Sequence, residues 1–320
     1  MTIAELQQEF LASGEKRIAP EDFFILLAHA LDREKTFLFA HPEYALDRES
    51  EKRARHFFSR RIQREPVAYI TGHKEFYGRN FSVTQDTLIP RPETEMLVRL
   101  VLDEAESRMS NLSTKTLTDR PESGGKEKTL IADIGTGSGN IIISIASELM
   151  RFHSRFSLLD APFSLYATDI SAPALAVAQK NALRHHTDDR ITFYAGDLLA
   201  PIKKELLASK SVIIAANLPY LSYAAYANAP ADVRGFEPES ALVSEQAGLA
   251  HSYRLLDTLK SVSGQHRAIT LFLEISPEQS APLQARASNV LPGASFSIHQ
   301  DLAGRERVLE IRRGEPGKEA

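Results

Sequence analysis

Apolar residues recur at helical spacing through the first part of the chain. Phe23, Leu26 and Leu27, for example, stand at positions i, i+3 and i+4, and no strand-like alternation of apolar and polar residues competes with this pattern. We therefore predict three or four short helices between residues 3 and 65. These helices are expected to form a small domain over residues 1–70.

A β-hairpin is predicted to follow the helices. Within residues 71–90, two runs of aromatic and β-branched residues flank Gly78, Arg79 and Asn80, which is typical of two strands joined by a turn. We expect this hairpin to connect the helical domain to the rest of the chain. The next helix is predicted to begin at Arg91-Pro92, because proline is favoured in the first helical turn.

The composition changes after the start of that helix. Residues 104–128 are rich in Ser, Thr, Gly and charged residues and have too little apolar surface to order themselves. We therefore assign residues 91–128 to a helix followed by a flexible linker. Residues 315–320 are predicted to be a tail.

From residue 129 onwards, apolar runs alternate with helical patterns. The predicted strands are 129–133, 165–169, 191–194, 211–216 and 268–275, and the predicted helices are 139–151, 172–183, 249–262 and one from residue 277. This alternation is typical of a parallel sheet with helices on both faces. Two final strands, 294–299 and 306–312, leave no room for a helix between them and are expected to pair as an antiparallel hairpin.

Residues 129–314 are therefore predicted to form an α/β fold with a seven-stranded, mostly parallel sheet. This arrangement resembles the class I S-adenosylmethionine-dependent methyltransferase fold. A resemblance of fold says nothing yet about the substrate, since one fold hosts many activities.

Length and cysteine content narrow the classes of function. A single hydrophobic core stops growing near roughly 250 to 300 residues, so a chain of 320 residues favours two domains. The chain has no cysteine, which excludes disulfides, thiolate metal sites and a cysteine nucleophile. His185 and His186 have no third ligand at metal spacing. We predict that the protein has no metal site.

Charge and hydropathy predict a cytoplasmic protein. The N-terminal residues mix Glu and Gln into the apolar positions, which a signal peptide does not tolerate. The apolar runs are shorter than the roughly 20 residues that cross a bilayer. A net charge of −4 weakens any case for tight, unspecific binding of nucleic acid, which depends on Lys and Arg. We expect neither a membrane nor a direct nucleic-acid partner.

A glycine-rich turn follows the first predicted strand of the sheet. Asp133 ends the strand and is predicted to be a cofactor contact, and Gly135, Gly137 and Gly139 stand at alternate positions directly before a helix. Glycines allow tight turning and close approach of a ligand to the backbone. Because the dinucleotide-binding fingerprint spaces its last two glycines differently, a nucleoside-type cofactor is favoured over NAD or FAD. The alternative is a plain tight turn between strand and helix.

Acidic residues end the next two predicted strands. Asp169 can accept hydrogen bonds from both hydroxyls of a ribose, and Asp197 can accept one from the amino group of adenine. Asp169 has an alternative role as the N-cap of the helix that begins at Ala172, and the neighbouring Ser171 is equally suited to that role.

The fourth predicted strand runs directly into Asn217-Leu218-Pro219-Tyr220. The Asn217 carboxamide and the adjacent backbone carbonyl of Leu218, stiffened by Pro219, can accept both hydrogens of a planar NH2 group, on which Tyr220 can stack. Such acceptors raise the electron density on a nitrogen that is otherwise a poor nucleophile and aim it at a methyl donor. The alternative is an Asn-x-Pro turn at the end of a strand.

Six segments of the chain carry a resemblance to a known family. They are REPVAYITGHKEFYGRNFSV, LIPRPETEMLV, DIGTGSGN, NLPY, FEPESAL and DLAGRERVLEI, in this order, between residues 23 and 311. The chain resembles the bacterial protein-(glutamine-N5) methyltransferases of peptide-chain release factors, the HemK family. These enzymes methylate the glutamine of a Gly-Gly-Gln motif in class 1 release factors, and their helical N-terminal domain is expected to recognise that substrate.

The resemblance also implies roles for individual residues. It implies S-adenosylmethionine as the cofactor and class 1 release factors as partners, with Asn217 to Tyr220 holding the substrate glutamine. The implied cofactor contacts are Gly135, Thr136, Gly137, Ser138, Gly139, Asp169, Leu198 and Asn217.

One departure from the family keeps alternatives open. Leu218 stands where the family usually has proline, and Asn-Leu-Pro-Tyr is also typical of ribosomal RNA adenine dimethyltransferases. The alternatives are therefore methylation of a glutamine in a ribosomal protein, methylation of adenine in nucleic acid, and a binding module without activity. The intact glycines and the intact Asn-Leu-Pro-Tyr argue against the last of these.

Overall fold

The computed structural model describes residues 1–11, 18–114, 128–156, 163–262 and 268–314. Residues 115–127, within the stretch whose latter part is predicted to be a linker, and the predicted tail lie outside the described residues. Nothing in the structure tests the predicted domain boundaries, which stay a prediction.

The N-terminal part contains five helices within its described residues, 1–11 and 18–71. They are α1 (Ile3–Leu11), α2 (Pro20–Leu31), α3 (Lys35–Ala40), α4 (Arg48–Ile62) and α5 (Val67–Thr71). The sequence predicted three or four because α3 and α5 have six and five residues, too few to show a helical period. Their core is largely aliphatic and contains a cluster of aromatic rings, in which the ring of Phe58 lies 4.7 Å from that of Phe10 and 5.0 Å from that of Phe23.

The predicted hairpin is present as β1 (His73–Phe76) and β2 (Arg79–Ser82). Its turn consists of Tyr77 and Gly78, which places the predicted turn residues Arg79 and Asn80 in β2 instead. Tyr77 and Gly78 have φ values of 51° and 68°, as a two-residue hairpin turn of the type I′ class requires. The Tyr77 N–H donates to Glu95, and this bond of 2.8 Å ties the turn to the following helix.

Within the described residues seven strands form the main sheet, which confirms the predicted fold class. They are β3 (Thr129–Ile134), β4 (Phe163–Asp169), β5 (Ile191–Ala195), β6 (Ser211–Ala216), β7 (Ala268–Glu274), β8 (Ser295–Gln300) and β9 (Glu306–Arg313). Their spatial order is β5-β4-β3-β6-β7-β9-β8, and β9 runs antiparallel to both of its neighbours. The order reverses between β3 and β6, and ligands of such sheets bind at this switch point, beyond the carboxyl ends of the strands.

Helices cover both faces of the sheet. The helices described in this part of the chain are α6 (Glu95–Thr114), α7 (Asn140–Phe156), α8 (Ala172–Arg184), α9 (Lys203–Ala208), α10 (Tyr223–Ala227), α11 (Ala231–Phe236), a short turn α12 (Glu245–Gly248), α13 (Ala250–Val262) and α14 (Ser280–Val290). Leu97 and Ile142, from α6 and α7, belong to the core on one face, and Leu255 and Leu283, from α13 and α14, to the core on the other. No helix within the described residues is both long and apolar enough to cross a membrane.

Helix α6 continues through the first part of the polar stretch that begins at residue 104. It remains helical to Thr114, and two of its polar side chains are buried together. Arg108 donates to Glu104 at 2.7 Å and to Thr270 on β7 at 2.8 Å. Thr270 in turn donates to Glu104 at 3.1 Å. Composition missed this helical segment because mutual pairing, and not apolar surface, buries these residues.

Candidate active site

A pocket opens beyond the carboxyl ends of β3, β4, β5 and β6. Ten of the residues that the sequence singled out line it: Gly135, Thr136, Gly137, Ser138, Asp169, Asp197, Leu198, Asn217, Leu218 and Pro219. Parallel strands bring their carboxyl ends to the same edge of a sheet, so these residues meet although they are far apart in sequence.

The turn after β3 holds its glycines in conformations that other residues rarely adopt. Gly135 has a φ of 73° and Gly137 a φ of 55°. The N–H of Gly135 donates to the carbonyl of Thr168 at 2.9 Å, which anchors the turn to β4. A Cβ atom built on Gly137 meets no other atom within 4 Å. The space beside Gly137 is therefore open to a ligand that approaches the backbone.

Asp133 and Gly139 do not line the pocket, although the sequence predicted that they would contact the cofactor. Asp133 is fully buried and accepts a hydrogen bond of 2.7 Å from the Thr136 hydroxyl. Burial raises the pKa of Asp133 to about 7. A Cβ atom on Gly139 would lie 2.7 Å from Ile143 and 3.2 Å from Ala178. Asp133 and Gly139 therefore support the turn from the protein interior and do not face the pocket.

Asp169 presents its carboxylate at the end of β4. Its two oxygens accept from the N–H groups of Gly137 at 2.8 Å and of Ser171 at 2.9 Å, and burial raises its pKa. Ser171, and not Asp169, caps α8, since its hydroxyl accepts from the Ala174 N–H at 3.2 Å. Asp169 is thus free of the capping role, and its oxygens keep lone pairs for a ligand.

Asp197 and Leu198 follow β5 at the pocket wall. Asp197 forms an ion pair with Arg254 of α13, and Arg254 also lines the pocket. Leu198 is buried with a φ of 48°, and its carbonyl accepts from the Thr168 hydroxyl at 2.8 Å. The structure therefore fixes the backbone of Leu198 and gives Asp197 a partner that the sequence did not indicate.

Asn217, Leu218 and Pro219 form one side of the pocket directly after β6. Asn217 donates through Nδ2 to the hydroxyl of Thr94 at 3.1 Å. Leu218 is buried, and its Cδ2 atom lies 3.2 Å from the position of a Cβ atom on Gly135. The side chain that replaces the family's usual proline thus packs against the glycine turn.

Tyr220 does not line the pocket, unlike the three residues before it. Its backbone carbonyl accepts from the side chain of Gln279 at 3.0 Å. Burial raises the pKa of Tyr220 to about 12, so its hydroxyl stays protonated at neutral pH. The stacking role predicted for this ring stays a prediction.

Several pocket residues escaped the sequence reasoning. They include Arg91, Thr94, Ile170, His251 and Arg254. Of these residues, Arg91 and Thr94 belong to the PRPETE segment (residues 90–95), which was the only local feature of the sequence that pointed to any of them. Ile170 is a large apolar residue that is 75% exposed directly after Asp169, a feature that becomes visible only once exposure is known.

An ion pair joins two of the segments that carried the family resemblance. Arg91, from the PRPETE segment, pairs with Glu237, from the FEPESAL segment. The second oxygen of Glu237 accepts from the Ile89 N–H at 3.1 Å, and Glu237 is 5% exposed. Both segments are thereby held at the pocket.

Comparisons with known sequences show what the chain is similar to. Residues 4–72 match the family model described as PrmC N-terminal domain. A release factor glutamine methyltransferase of Nitratidesulfovibrio vulgaris is 34% identical over 294 residues, which are 90% of this chain and 86% of the relative. A protein of the same name from Bacillus cereus is 32% identical over 89% of each chain. One from Rhodopirellula baltica is 31% identical over 98% of this chain and 96% of its own.

A solved structure shares the fold. The catalytic domain of hMettl16, in complex with MAT2A 3′UTR hairpin 6, superposes with a TM-score of 0.51 at 17% identity. The alignment covers 76% of this chain and 79% of that chain. At this identity the likeness concerns the fold alone.

Proposed function

The chain belongs to the release factor glutamine methyltransferase family, and from this premise we propose that it methylates the side-chain amide nitrogen (N5) of a glutamine. The proposed substrate is the Gly-Gly-Gln motif of class 1 release factors, and the proposed methyl donor is S-adenosylmethionine. One observation carries the proposal: Asn217, Leu218 and Pro219 share a single pocket with the glycine turn and Asp169.

The residues of the pocket fit S-adenosylmethionine. The open space beside Gly137 suits close approach of a ligand to the backbone, and the Asp169 carboxylate suits the two hydroxyls of a ribose. Ile170 offers an exposed apolar surface for the adenine base. When bound, S-adenosylmethionine supplies a methyl group on a positively charged sulfur. The chain's own residues then have to hold and orient the glutamine.

Asn217 and Leu218 are proposed to orient the substrate amide. An amide nitrogen is a poor nucleophile because its lone pair is delocalised into the carbonyl group. The Asn217 oxygen and the Leu218 carbonyl can accept its two hydrogens, which raises the electron density on nitrogen and fixes its direction. Once the new bond to carbon forms, the nitrogen loses a proton to water, so no general base is needed.

We expect Asp169→Asn to weaken binding of S-adenosylmethionine. The substitution keeps the shape of the side chain but removes the charge of the acceptor, and hydrogen bonds to charged groups contribute about 1.5–3 kcal/mol. The Kd measured by calorimetry is therefore expected to rise about tenfold to a hundredfold. Asp188→Asn, in an exposed position outside the pocket, is the matched control. An unchanged Kd in a folded Asp169→Asn protein would leave Asp169 with a structural role only.

The choice between glutamine and adenine is open to a direct test. Both present a planar NH2 group, so Asn217 and Leu218 alone do not distinguish them, whereas 42 acidic against 38 basic residues disfavour an RNA substrate. With labelled S-adenosylmethionine, we expect label on the glutamine of a Gly-Gly-Gln motif, located by peptide mapping. Unmodified ribosomal RNA and ribosomal proteins serve as competing substrates, and label on either one with the release factor blank would overturn the proposal.

The N-terminal helices are proposed to recognise the protein substrate. Phe39 at the end of α3 is 61% exposed, and its ring lies 4.4 Å from that of Phe24, so an aromatic surface faces solvent. We expect Phe39→Ala to raise the KM for an intact release factor about fivefold, which corresponds to the ~1 kcal/mol typical of an aromatic contact at an interface.

The KM for a short Gly-Gly-Gln peptide is expected to stay unchanged in Phe39→Ala, because a peptide does not reach the helices. Leu302→Ala is the matched control, since Leu302 is fully exposed in the loop between β8 and β9. If Phe39→Ala raises the KM equally for the intact release factor and for the peptide, Phe39 contributes to the fold and not to recognition of the substrate.

A further inference from the structure

One buried side chain joins three segments of the backbone. Gln279 ends the single 3-10 turn that precedes α14, and it is 3% exposed. Its Nε2 atom donates to the carbonyl of Tyr220 at 3.0 Å and to the carbonyl of Gly248 at 3.0 Å. Its Oε1 atom accepts from the N–H of Ser276 at 3.2 Å. Gln279 itself does not line the pocket.

The partners of Gln279 determine how its carboxamide is oriented. Backbone carbonyls only accept and the Ser276 N–H only donates, so the NH2 group must face the carbonyls of Tyr220 and Gly248. Among uncharged side chains, only those of Asn and Gln offer two N–H donors and a carbonyl acceptor on one planar group, and Asn is shorter by one methylene. The side chain of Gln279 therefore matches all three of its backbone partners.

The Asn-Leu-Pro-Tyr segment is fixed at both of its ends. Its first residue directly follows β6. Just beyond its last residue, the N–H of Leu221 donates to the carbonyl of Leu242 at 2.9 Å, and the carbonyl of Leu221 accepts from the N–H of Ser244 at 2.9 Å. The bond from Gln279 to the carbonyl of Tyr220 lies between these ends and adds a third fixed point.

The position of the Tyr220 backbone affects the carbonyl of Leu218. Only Pro219 separates these two residues. The proline ring fixes its own φ angle and restricts the conformation of the residue before it. A shift of Tyr220 is therefore not absorbed by Pro219, and the Leu218 carbonyl moves with it.

We propose that Gln279 is a positioning residue that holds the backbone of Tyr220 and so places the Leu218 carbonyl where it accepts a hydrogen of the substrate amide. This inference rests on the proposed function, because it gives the Leu218 carbonyl the role of an acceptor for glutamine. Gln279 touches none of the reacting atoms in this scheme.

Gln279→Met tests the inference because methionine has a similar length and offers no hydrogen-bond donor. We expect kcat for a Gly-Gly-Gln peptide to fall about tenfold to a hundredfold, since a displacement of about 1 Å at a reacting group is enough to cost 10²-fold in rate. The Kd for S-adenosylmethionine is expected to stay unchanged, because the bonds that hold Gly135 and Asp169 do not involve Gln279.

Calorimetry with S-adenosylmethionine also counts the folded binding sites, so that kcat can be expressed per site. A residue that only stabilises the fold would lower the number of sites and leave kcat per site unchanged. Gln279→Glu is the second variant: it keeps the shape of the side chain and loses at least one donor, because a carboxyl group has at most one proton. We expect it to lower kcat per site at least tenfold.

Gln284→Met is the matched control. Gln284 lies on α14, is half-buried, and donates to the hydroxyl of Ser280 at 3.1 Å, so this variant also loses a hydrogen bond of a glutamine side chain. Gln284 does not line the pocket, and kcat per site is expected to stay unchanged. Equal losses in Gln279→Met and Gln284→Met, or the wild-type kcat in Gln279→Met, would overturn the inference.

A 19F NMR spectrum of protein labelled with 3-fluorotyrosine supplies a readout that is independent of methylation. The signal of Tyr220, assigned by its loss in Tyr220→Phe, is expected to shift in Gln279→Met and to stay in place in Gln284→Met. An unmoved signal in Gln279→Met would overturn the positioning role of Gln279. If the signal shifts as expected and the wild-type protein methylates no glutamine, the proposed function falls while the hold of Gln279 on Tyr220 stands.

Discussion

Asn217→Ala is expected to lower kcat about 10²–10³-fold while the Kd for S-adenosylmethionine changes far less. The side chain provides one of the two proposed acceptors for the substrate amide, and the pocket holds it by the bond of 3.1 Å to Thr94. Removing one preorganised partner of a reacting group raises the barrier by about 2.7–4 kcal/mol, by analogy with the loss of one oxyanion-hole donor.

Single-turnover kinetics with a Gly-Gly-Gln peptide, together with calorimetry, measure the two effects of Asn217→Ala separately. Asn228→Ala is the matched control, because Asn228 follows α10 on the surface and does not line the pocket. Turnover near the wild-type rate in Asn217→Ala would remove Asn217 from the catalytic residues.

Gly248→Ala is expected to lower kcat about 10²-fold although Gly248 does not line the pocket. A Cβ atom on Gly248 would lie 2.0 Å from the carbonyl oxygen of Tyr220 and 2.7 Å from the side-chain nitrogen of Gln279. No real structure tolerates such contacts, so the backbone of Tyr220 must move and Asn217 and Leu218 must shift with it. A displacement of about 1 Å at a reacting group is enough to cost 10²-fold in rate.

Gly293→Ala is the matched control, because it separates the effect of the steric contact with Tyr220 from the effect of a strained backbone conformation. Gly248 has a φ of 87° and Gly293 a φ of 79°, and alanine is strained at both. A Cβ atom on Gly293 meets nothing within 4 Å, so Gly293→Ala is expected to lose stability and keep kcat. A similar loss of kcat in both variants would show that the contact with Tyr220 does not position the site.

The turn that holds Gly248 is itself strained. Gln246 and Ala247 have φ values of 54° and 57°, which non-glycine residues adopt at a cost. The turn persists because its surroundings hold it: Gln279 donates to the carbonyls of both Gly248 and Tyr220 at 3.0 Å. Strain of this kind next to Tyr220 is consistent with a loop shaped for function.

Much of the fold was open to prediction because it depends on local patterns. Strand β6 begins and ends at the predicted residues, Ser211 and Ala216, since a buried strand is a continuous apolar run that polar residues interrupt. The hairpin turn was misplaced because Tyr77 adopts a left-handed conformation that its residue type does not signal. Helix α6 continues into the polar stretch that begins at residue 104, where Glu104 and Arg108 are buried by pairing with each other, which composition alone does not record.

The residues of the candidate site that could be predicted are those that lie at or just after the carboxyl end of a strand. Asp169, Asp197 and Asn217 were recognised because each stands at or just after the carboxyl end of a parallel strand, and such ends meet at one edge. Asp133 fulfils the same rule and yet lies beneath the pocket, fully buried. Position along a strand does not determine whether a side chain at its end points into the pocket or into the core.

The sequence by itself determined the fold class, the order of helices and strands, and the chemical types gathered at one edge of the sheet. These properties follow from periodicity, from apolar runs and from the conformations that glycine and proline allow, all of which act between neighbouring residues. Only the tertiary structure decided that Asn217 donates to Thr94 and that Gly248 lies against Tyr220. Such contacts join residues that are distant in sequence, and their geometry is fixed by the packing of whole strands and turns, which no local pattern records.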